Sequence, residues 1–330
     1  GPGPLRGARI GVFGKGGSGK STITVFLAAA LQESGYSVLV LDADSTNHGL
    51  AAALGVSHEP EPLLEYFGGM VFSGGRVTCP VDDPTPLPGA RLQLGQLPGR
   101  SIAVAPDGAR LLVAGKLGAL GPGAGCDGPV AKIARDLRVV GNGPGPVTVV
   151  DFKAGFEDAA RGALTTVDRA VVAVDPTTAA VRMAHHLAAT VSAIRRGVPP
   201  ATRHLESPAQ VALAERLYRE ARVRGVSAVL SRVPTPDVEL YLRRELEGSE
   251  APVAAVFPED RGIGEQWLTG RPLSSERLRE AGRELARELE QSTAETAADA
   301  APAGGPPPRR PAGRGPLERP GTTDAGERSG

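Results

Sequence analysis

The sequence has few cysteines and aromatic residues, almost no lysine, and no long hydrophobic run. Among 330 residues only Cys79 and Cys126 are cysteines, too few for a disulfide framework and typical of a reducing compartment. No window holds the roughly 18 consecutive apolar residues of a membrane span. Residues 1–10 lack the basic-then-apolar order of a signal peptide, so we predict a cytoplasmic protein.

The net charge of the chain does not indicate a macromolecular partner. The formal net charge is +0, so we expect neither nucleic acid nor anionic lipid as a partner. Five lysines accompany 32 arginines, and arginine therefore carries most of the positive charge. Lys15 and Lys20 nevertheless lie together in one short segment, which indicates chemistry that arginine does not replace.

Short runs rich in Val, Ile and Leu alternate with helical patterns along most of the chain. Continuous apolar strands of this length indicate burial on both faces of a parallel sheet. The alternation predicts an α/β fold, with a doubly wound, mainly parallel sheet and helices on both faces. The predicted strands are 8–14, 36–44, 110–116, 146–151, 169–176, 226–231 and 251–257, and the predicted helices are 20–34, 129–138, 178–196, 207–224 and 237–246.

Composition also sets the expected domain limits. Residues 1–7 resemble a disordered leader, and residues 68–109 are a Gly/Pro-rich segment that we predict to be a long loop or insertion. A further helix over 274–292 places leucines on one face, which suits docking on the core. Residues 292–330 are rich in Pro, Gly and Arg and are predicted to be disordered. One domain over 8–291 remains.

The segment GKGGSGKST, residues 14–22, fits the pattern of a phosphate-binding loop. It follows a predicted strand and opens a predicted helix, the context that this motif requires. Backbone N–H groups at the helix N-terminus would hold phosphate oxygens. Lys20 would contact the β- and γ-phosphates, and the Ser21 hydroxyl would bind Mg²⁺. The nucleotide-binding assignment covers Gly14, Lys15, Gly16, Gly17, Ser18, Gly19, Lys20, Ser21 and Thr22.

Lys15 adds a second lysine to this loop, and the run KGGSGK resembles the deviant Walker A motif of the MinD/ParA/nitrogenase-iron-protein group of ATPases. In that group the early lysine reaches across a dimer interface to the nucleotide of the partner. The resemblance implies that the protein forms a homodimer on ATP binding. It also implies a catalytic role for Lys15, together with Lys20, in neutralising charge in trans.

Carboxylates follow the second predicted strand in the run LVLDADSTNHGL. Acidic residues at the carboxyl end of a strand beside the phosphate loop face the ligand crevice of such sheets. The resemblance to the switch region of the same ATPases makes Asp44 the candidate for orienting the attacking water. It also implies that Asp42 supports Mg²⁺ and that Asn47 lies near the phosphates. Capping of the following helix is the alternative role for these carboxylates.

A third element is the run VTVVDFKAGFEDAARG, residues 147–162. Asp151 ends an apolar strand, as a Walker-B-type Mg²⁺ partner does. Gly155 follows it, and its backbone N–H is predicted to contact a γ-phosphate. Base recognition is less defined: Ser231 stands where relatives often carry asparagine, and no N-K-x-D guanine signature is present. ATP is therefore favoured by the resemblance alone.

The stretch that includes residues 147–162 is similar to the corresponding stretch of the CooC-type ATPases, which serve maturation of carbon monoxide dehydrogenase by nickel insertion. LLEYFGG and DADSTNHGLAAALG fit these relatives too, whereas Asp158 stands where they tend to have histidine. Their GCxCP segment binds metal at the dimer interface through two cysteines of each subunit. Here the run is GCDGP, so Cys126 matches and Gly128 replaces the second cysteine. Cys79 matches no ligand spacing.

Two interpretations of Cys126 stay open: a ligand of a transition metal (Ni or Zn) at a dimer interface, or a structural or vestigial cysteine. Three functions follow from the resemblance. The first is a CooC-like ATPase acting on a metalloenzyme client resembling carbon monoxide dehydrogenase. The second is a MinD/ParA-like positioning or partitioning switch, which the neutral charge disfavours. The third is an electron-donating reductase, which the missing cysteine disfavours. We expect slow, Mg²⁺-dependent ATP hydrolysis that a partner stimulates.

Overall fold

The seven apolar runs predicted as strands all form strands, and three two-residue strands, 91–92, 103–104 and 138–139, add to them. In the computed structural model, residues 3–117, 126–141 and 143–300 are described, and strands and helices are given for these residues. The strands are β1 (Arg9–Gly14), β2 (Val38–Ala43), β3 (Arg91–Leu92), β4 (Ala103–Val104), β5 (Arg110–Val113), β6 (Arg138–Val139), β7 (Val147–Phe152), β8 (Arg169–Val174), β9 (Val226–Val233) and β10 (Val253–Pro258).

The helices alternate with these strands. They are α1 (Lys20–Glu33), α2 (Leu50–Leu54), α3 (Leu63–Tyr66), α4 (Gly128–Asp136), α5 (Glu157–Ala160), α6 (Thr178–Arg195), α7 (Pro208–Arg219), α8 (Pro236–Glu245), α9 (Arg261–Thr269) and α10 (Glu276–Ala300). The helices missed by sequence reasoning are the short α2, α3 and α5, and α9, whose two glycines weaken a helical pattern. No helix within the described ranges combines the length and apolarity needed to cross a bilayer.

Eight of the described strands form one sheet in the order β10-β9-β8-β1-β7-β2-β5-β4. Every pairing in it is parallel except that of β4 with β5, which confirms the predicted doubly wound, mainly parallel fold. The register sets Asp151 of β7 beside Val12 of β1 and beside Asp42 of β2. Consequently Asp42 and Asp151 lie side by side at the carboxyl edge of the sheet, where β1 leads into the segment 14–22.

Two hydrophobic clusters cover the two faces of the sheet. In β2, Leu39 and Leu41 belong to the cluster that includes α4 and α6, whereas Val38 and Val40 belong to the cluster that includes α1 and α10. Alternate side chains of a strand point to opposite faces, so an uninterrupted apolar run fills both clusters. This is the burial that the sequence pattern predicts.

Two segments predicted as loose are packed in the structure. Leu5, in the predicted leader, is fully buried, and the Ala8 N–H donates to its carbonyl oxygen at 2.8 Å. Within the Gly/Pro-rich segment 68–109, spaced apolar residues such as Met70 and Leu92 are buried in the core, and β3 pairs with β6. The sequence pattern did not indicate that these residues are buried, because each is an isolated apolar residue between turns.

The last helix continues past the predicted limit of 292. Alpha-helix α10 runs to Ala300, because the Ala/Glu-rich run TAETAADA has high helix propensity. Arg169 of β8 also ties this end to the sheet, since its guanidinium donates to the Ser292 carbonyl oxygen and to Thr296 Oγ1. The remainder of the predicted disordered tail, 301–330, lies outside the described residues, as does the loop 118–125.

Gly282 brings α10 against α1, and its replacement is expected to destabilise the fold. A Cβ added at Gly282 would lie 2.5 Å from the Phe26 carbonyl oxygen, so the two helices would have to separate. We expect Gly282→Ala to lower the free energy of unfolding by about 1–3 kcal/mol, measured by urea denaturation. Gly264→Ala in α9 is the matched control, because no atom of the described part of the chain lies within 4 Å of its added Cβ. Equal stability of the two variants would contradict close packing at Gly282.

Candidate functional site

The loop between β1 and α1 leaves the N-terminus of α1 open. Gly19 precedes the helix with φ of 90°, and no side chain among the described residues caps the helix. A Cβ added at Gly17, which has a φ of 74°, would have no atom of residues 3–117, 126–141 or 143–300 within 4 Å. The first N–H groups of a helix without a side-chain cap form a binding site for an anion. The segment 14–22 thus has the backbone geometry of a phosphate-binding loop.

Lys20 is buried against this loop, with 6 % of its surface exposed. Its ammonium donates to the Lys15 carbonyl oxygen at 3.3 Å, a long hydrogen bond that phosphate oxygens could replace. Lys15 points elsewhere. Its ammonium pairs with the Asp175 carboxylate of the same chain at 3.0 Å, and the Lys15 side chain is 29 % exposed.

Ser21, Asn47 and Asp151 meet at the carboxyl edge of the sheet, where the sequence predicts a Mg²⁺ site. Ser21 Oγ donates to Asp151 Oδ2 at 2.6 Å and accepts from Asn47 Nδ2 at 3.0 Å. Asp151 Oδ1 is buried and has no hydrogen-bond partner among the described residues. Burial raises the pKa of Asp151 to about 6. A buried carboxylate oxygen without a partner beside a serine hydroxyl is a donor set that suits Mg²⁺.

Lys116 fixes the carboxylate segment after β2, a role that sequence reasoning missed. Its ammonium pairs with Asp42 Oδ2 at 2.8 Å and donates to the carbonyl oxygens of Asp44, at 2.7 Å, and of Asn47. Burial raises the pKa of Asp42 to about 7, although Lys116 acts in the opposite direction. Lys116 follows β5, the parallel neighbour of β2. Lysine is scarce in this chain, and this scarcity was the one sequence signal that could have pointed to Lys116.

Asp44 lies where the segment after β2 enters the cleft. Its Oδ1 accepts from the backbone N–H of Thr46 at 3.0 Å and from Thr46 Oγ1 at 2.7 Å, which fixes the carboxylate. The Gly155 N–H donates to the Gly14 carbonyl oxygen at 3.0 Å, so the predicted contact with a γ-phosphate requires this hydrogen bond to open. Both functional roles stay predictions.

A cleft of about 620 Å³ extends from the phosphate-binding loop to the segment that joins β10 to α9. The far wall combines the apolar side chains of Phe257, Pro258, Ile263 and Trp267 with the charged residues Glu259, Asp260 and Arg261. Trp267 Nε1 donates to Thr22 Oγ1 at 3.1 Å and so links this wall to α1. Sequence reasoning missed the wall, although Trp267 is the only tryptophan of the chain.

Ser231 and Arg232 occupy the end of β9 beside the loop. An added Cβ at Gly19 would lie 2.4 Å from Ser231 Oγ, so the loop fits closely against this serine. Arg232 adopts a φ of 56°, and its guanidinium donates to the Gly17 carbonyl oxygen at 2.9 Å. These two residues therefore border the cleft at the position where the sequence showed no base-recognition motif.

Cys126 is exposed immediately before α4, and the residues before it, 118–125, are not described. Across the described ranges, no group of three or more His, Cys, Asp and Glu side chains is arranged to hold a metal ion. The sequence-predicted ligand Cys126 therefore has no complete metal site within the described part of one protomer.

Most of the chain matches a known protein family. Residues 12–273 match the family described as the CobQ/CobB/MinD/ParA nucleotide binding domain, known as CbiA. An ATP-binding protein of Methanocaldococcus jannaschii, itself uncharacterised, is 32% identical over 177 residues, which are 53% of this chain and 70% of that protein.

Carbon monoxide dehydrogenase accessory protein CooC of Rhodospirillum rubrum is 30% identical over 182 residues. The match covers 51% of this chain and 63% of CooC, less than two thirds of that protein. Among solved structures, the septum site-determining protein MinD of Pyrococcus horikoshii in complex with Mg-ADP superposes with a TM-score of 0.53 at 18% identity. That superposition covers 86% of this chain and 96% of the MinD chain, and at this identity it shows a common fold.

Proposed function

Because the chain belongs to the CobQ/CobB/MinD/ParA nucleotide-binding family, we propose that it is a Mg²⁺-dependent ATPase that dimerises on binding ATP. We further propose that the dimer acts on a metalloenzyme client, in its maturation or in metal delivery to it. The observation that carries the ATPase is the group formed by Ser21, Asn47 and Asp151 at an open helix N-terminus.

The phosphate end of ATP fits the loop. The uncapped N–H groups of α1 would bind phosphate oxygens, and Lys20 would exchange the Lys15 carbonyl oxygen for the β- and γ-phosphates. Mg²⁺ would be held, directly or through water, by Ser21 Oγ and by Asp151 Oδ1, the buried oxygen without a hydrogen-bond partner among the described residues. Mg²⁺ supplies neutralisation of charge that develops on the phosphates during hydrolysis.

The remaining charged groups would have separate roles in hydrolysis. Asp44 would orient the attacking water, because its carboxylate lies in the cleft and is fixed by Thr46. Because Asp42 is paired with Lys116, it would support Mg²⁺ through contacts with the groups around the ion rather than as a direct ligand. The nucleoside would extend toward the apolar side chains of Pro258 and Trp267, with Ser231 and Arg232 beside it.

Dimerisation on ATP would use Lys15. In one protomer Lys15 pairs with Asp175 and is not among the residues that line the cleft. A lysine in a phosphate-binding loop that does not face its own cleft is available to a second copy. We propose that ATP binding exchanges the contact with Asp175 for a contact with the nucleotide of the partner subunit.

The identity of the client rests on the relation to CooC. The 30% identity to a carbon monoxide dehydrogenase accessory protein supports a role beside a metalloenzyme, whereas the likeness to MinD at 18% identity supports the fold alone. A positioning function without metal chemistry is therefore the weaker proposal. The metal content of the anaerobically purified ATP-bound dimer distinguishes the metalloenzyme role from the positioning function, because a positioning switch would carry no metal.

The Mg²⁺ assignment is tested by removing one hydroxyl. We expect Ser21→Ala to raise the Mg²⁺ concentration that gives half-maximal ATPase activity by about 10- to 100-fold, measured in a phosphate-release assay. Thr24→Val is the matched control, because it removes a buried hydroxyl without a described partner from the same helix. An unchanged Mg²⁺ dependence of Ser21→Ala, or no hydrolysis by the wild type with ATP and Mg²⁺, would contradict the proposal.

A further inference from the structure

Arginines gather at the edge of the sheet opposite the nucleotide cleft. Strands β1, β8 and β9 are parallel, so all three begin at this amino edge, whereas the phosphate-binding loop follows the far end of β1. Arg9 is the first residue of β1, and Arg169 is the first residue of β8. Arg222 and Arg224 lie in the segment before β9, and Asp168 immediately precedes β8. Contacts with Asp168 hold Arg9, Arg222 and Arg224 close to this aspartate.

The guanidinium of Arg9 is buried, and its hydrogen bonds go to uncharged oxygens. It donates to the carbonyl oxygens of Leu137, at 2.6 Å, and of Ala134. Its Nε is buried and has no hydrogen-bond partner in the part of the chain that the structure describes. Burial, and after it the nearby charge of Arg138, lowers the pKa of Arg9. A buried cation that its contacts do not neutralise costs free energy, and an anion nearby reduces this cost.

Arg169 is a second buried arginine whose described hydrogen bonds go to uncharged oxygens. Its Nε donates to Thr293 Oγ1 at 3.2 Å, and a terminal nitrogen donates to Thr296 Oγ1 at 2.9 Å and to the Ser292 carbonyl oxygen. All three acceptors belong to α10. Burial lowers the pKa of Arg169, and the charge of Arg195 adds to this effect. An anion at this edge of the sheet would therefore stabilise Arg169 as well as Arg9.

A cavity of about 330 Å³ lies beside these arginines. Asp168 Oδ1 pairs with Arg222 Nη2 at 2.8 Å, and Asp168 Oδ2 accepts from the Arg9 N–H at 2.8 Å, so both carboxylate oxygens already have partners. Positive charge consequently exceeds negative charge among the described residues of the lining. The charged residues of the lining are Arg6, Arg169, Arg222, Arg224 and Asp168, and two threonines of α10 add hydroxyl groups.

We propose that this cavity binds a small anion that carries phosphate groups. A planar guanidinium donates two parallel hydrogen bonds to a phosphate, and several guanidiniums together neutralise a multivalent anion. The volume of the cavity is at the low end of the range for small-molecule sites. Strand β1 runs from Arg9 at this edge to Gly14 at the phosphate-binding loop, so the two sites are roughly 15–20 Å apart. The anion site is thus separate from the site of ATP, and it does not depend on the proposed function.

Charge distinguishes this ligand from two other occupants of the cavity. Residues 301–330, which follow α10 in the sequence, contain five arginines and three acidic residues, so their own charge does not complement the lining. A nucleic acid requires basic side chains along an extended surface, whereas Asp168 lies among the arginines here and the formal net charge of the chain is +0. A compact anion requires only the cavity itself.

Isothermal titration with pyrophosphate, at low salt and without Mg²⁺, tests the anion site. The full chain carries Lys20→Ala, because pyrophosphate would otherwise also bind the phosphate-binding loop. We expect this protein to bind one pyrophosphate per chain. Adding Arg222→Ala and Arg224→Ala is expected to weaken the binding by about tenfold or more, because each removes a charged hydrogen-bond donor from the lining. The wild type saturated with ADP provides the same comparison with an intact loop.

The matched control is Arg219→Ala. Arg219 is an exposed arginine of α7 and is not among the described residues that line the cavity, so its loss should leave pyrophosphate binding unchanged. Absence of pyrophosphate binding by Lys20→Ala and by the ADP-saturated wild type overturns the proposal. Equal binding with and without Arg222 and Arg224 also overturns it, because the anion would then lie elsewhere.

Asp168→Asn separates a ligand site from a cluster that only supports the fold. The asparagine oxygen can still accept from the Arg9 N–H, while one negative charge leaves the cavity. We expect Asp168→Asn, combined with Lys20→Ala, to bind pyrophosphate about fivefold more tightly. A purely structural cluster would give a lower melting temperature and no gain in affinity. Unchanged or weaker binding of pyrophosphate by this variant overturns the site.

Parallel measurements distinguish failure of the anion site from failure of the proposed ATPase. ATP hydrolysis by the wild type with Arg222→Ala and Arg224→Ala is expected to be unchanged, because neither arginine is among the residues that line the nucleotide cleft. A chain that hydrolyses ATP and binds no pyrophosphate at the amino edge retains the ATPase and loses the anion site. Fluorescence anisotropy with a labelled DNA duplex is expected to show no binding. DNA binding that Arg222→Ala and Arg224→Ala abolish, without binding of pyrophosphate, overturns the assignment to a small anion.

Discussion

Lys15→Ala is expected to lower the rate of ATP hydrolysis by about 10³-fold or more while leaving the affinity for ATP nearly unchanged. The physical reason is the position of the side chain, which pairs with Asp175 and does not line the cleft of its own chain. Its loss removes no contact that one protomer makes to ATP. It removes a positive charge that the partner subunit would place against the γ-phosphate as negative charge develops there.

Two further variants separate this role from a general defect. Lys20→Ala should lose ATP binding itself, because Lys20 is buried beside the phosphate-binding loop. Asp175→Asn should keep its hydrogen bond from Thr177 Oγ1 and release Lys15, so ATP-dependent dimerisation should occur at lower ATP concentration. Isothermal titration measures binding, and gel filtration measures dimerisation. Hydrolysis by Lys15→Ala at the wild-type rate would contradict a role in trans.

The fold was predictable because its signals are local. Each long strand is an uninterrupted apolar run, and the phosphate-binding loop is a contiguous motif between β1 and α1. The parallel order then fixes which strand ends are neighbours, so the meeting of Ser21 with Asp151 follows from motif and topology together. Predictions of this kind need only the residue pattern and the geometry of a sheet.

The features that were missed depend on contacts between distant residues. Lys116 meets Asp42, and Cys79 meets Gly128, through side chains that no local pattern connects. The segment 68–109 was predicted as loose because its buried residues are single apolar positions between turns, and only the folded core reveals them as anchors.

Asp44→Asn is expected to lower the rate of ATP hydrolysis by about 10²- to 10⁴-fold and to trap the ATP-bound dimer. The amide oxygen of asparagine can still accept from the Thr46 N–H and Oγ1, so the segment after β2 should keep its conformation. The neutral amide is a weaker hydrogen-bond acceptor than the carboxylate, so it should orient the attacking water poorly. Binding and dimerisation precede that step and should therefore persist, so gel filtration with ATP and Mg²⁺ should give a stable dimer.

The matched control is Asp42→Asn, two residues earlier in the same segment. Asp42 neutralises the buried ammonium of Lys116, so its replacement leaves a buried charge without its carboxylate partner. We expect a lower melting temperature for Asp42→Asn, and no such change for Asp44→Asn. A monomeric Asp44→Asn variant in the presence of ATP, or one that hydrolyses ATP at the wild-type rate, would remove Asp44 from the role of positioning water. Loss of hydrolysis with a retained dimer and melting temperature is the result that only a role in the chemical step produces.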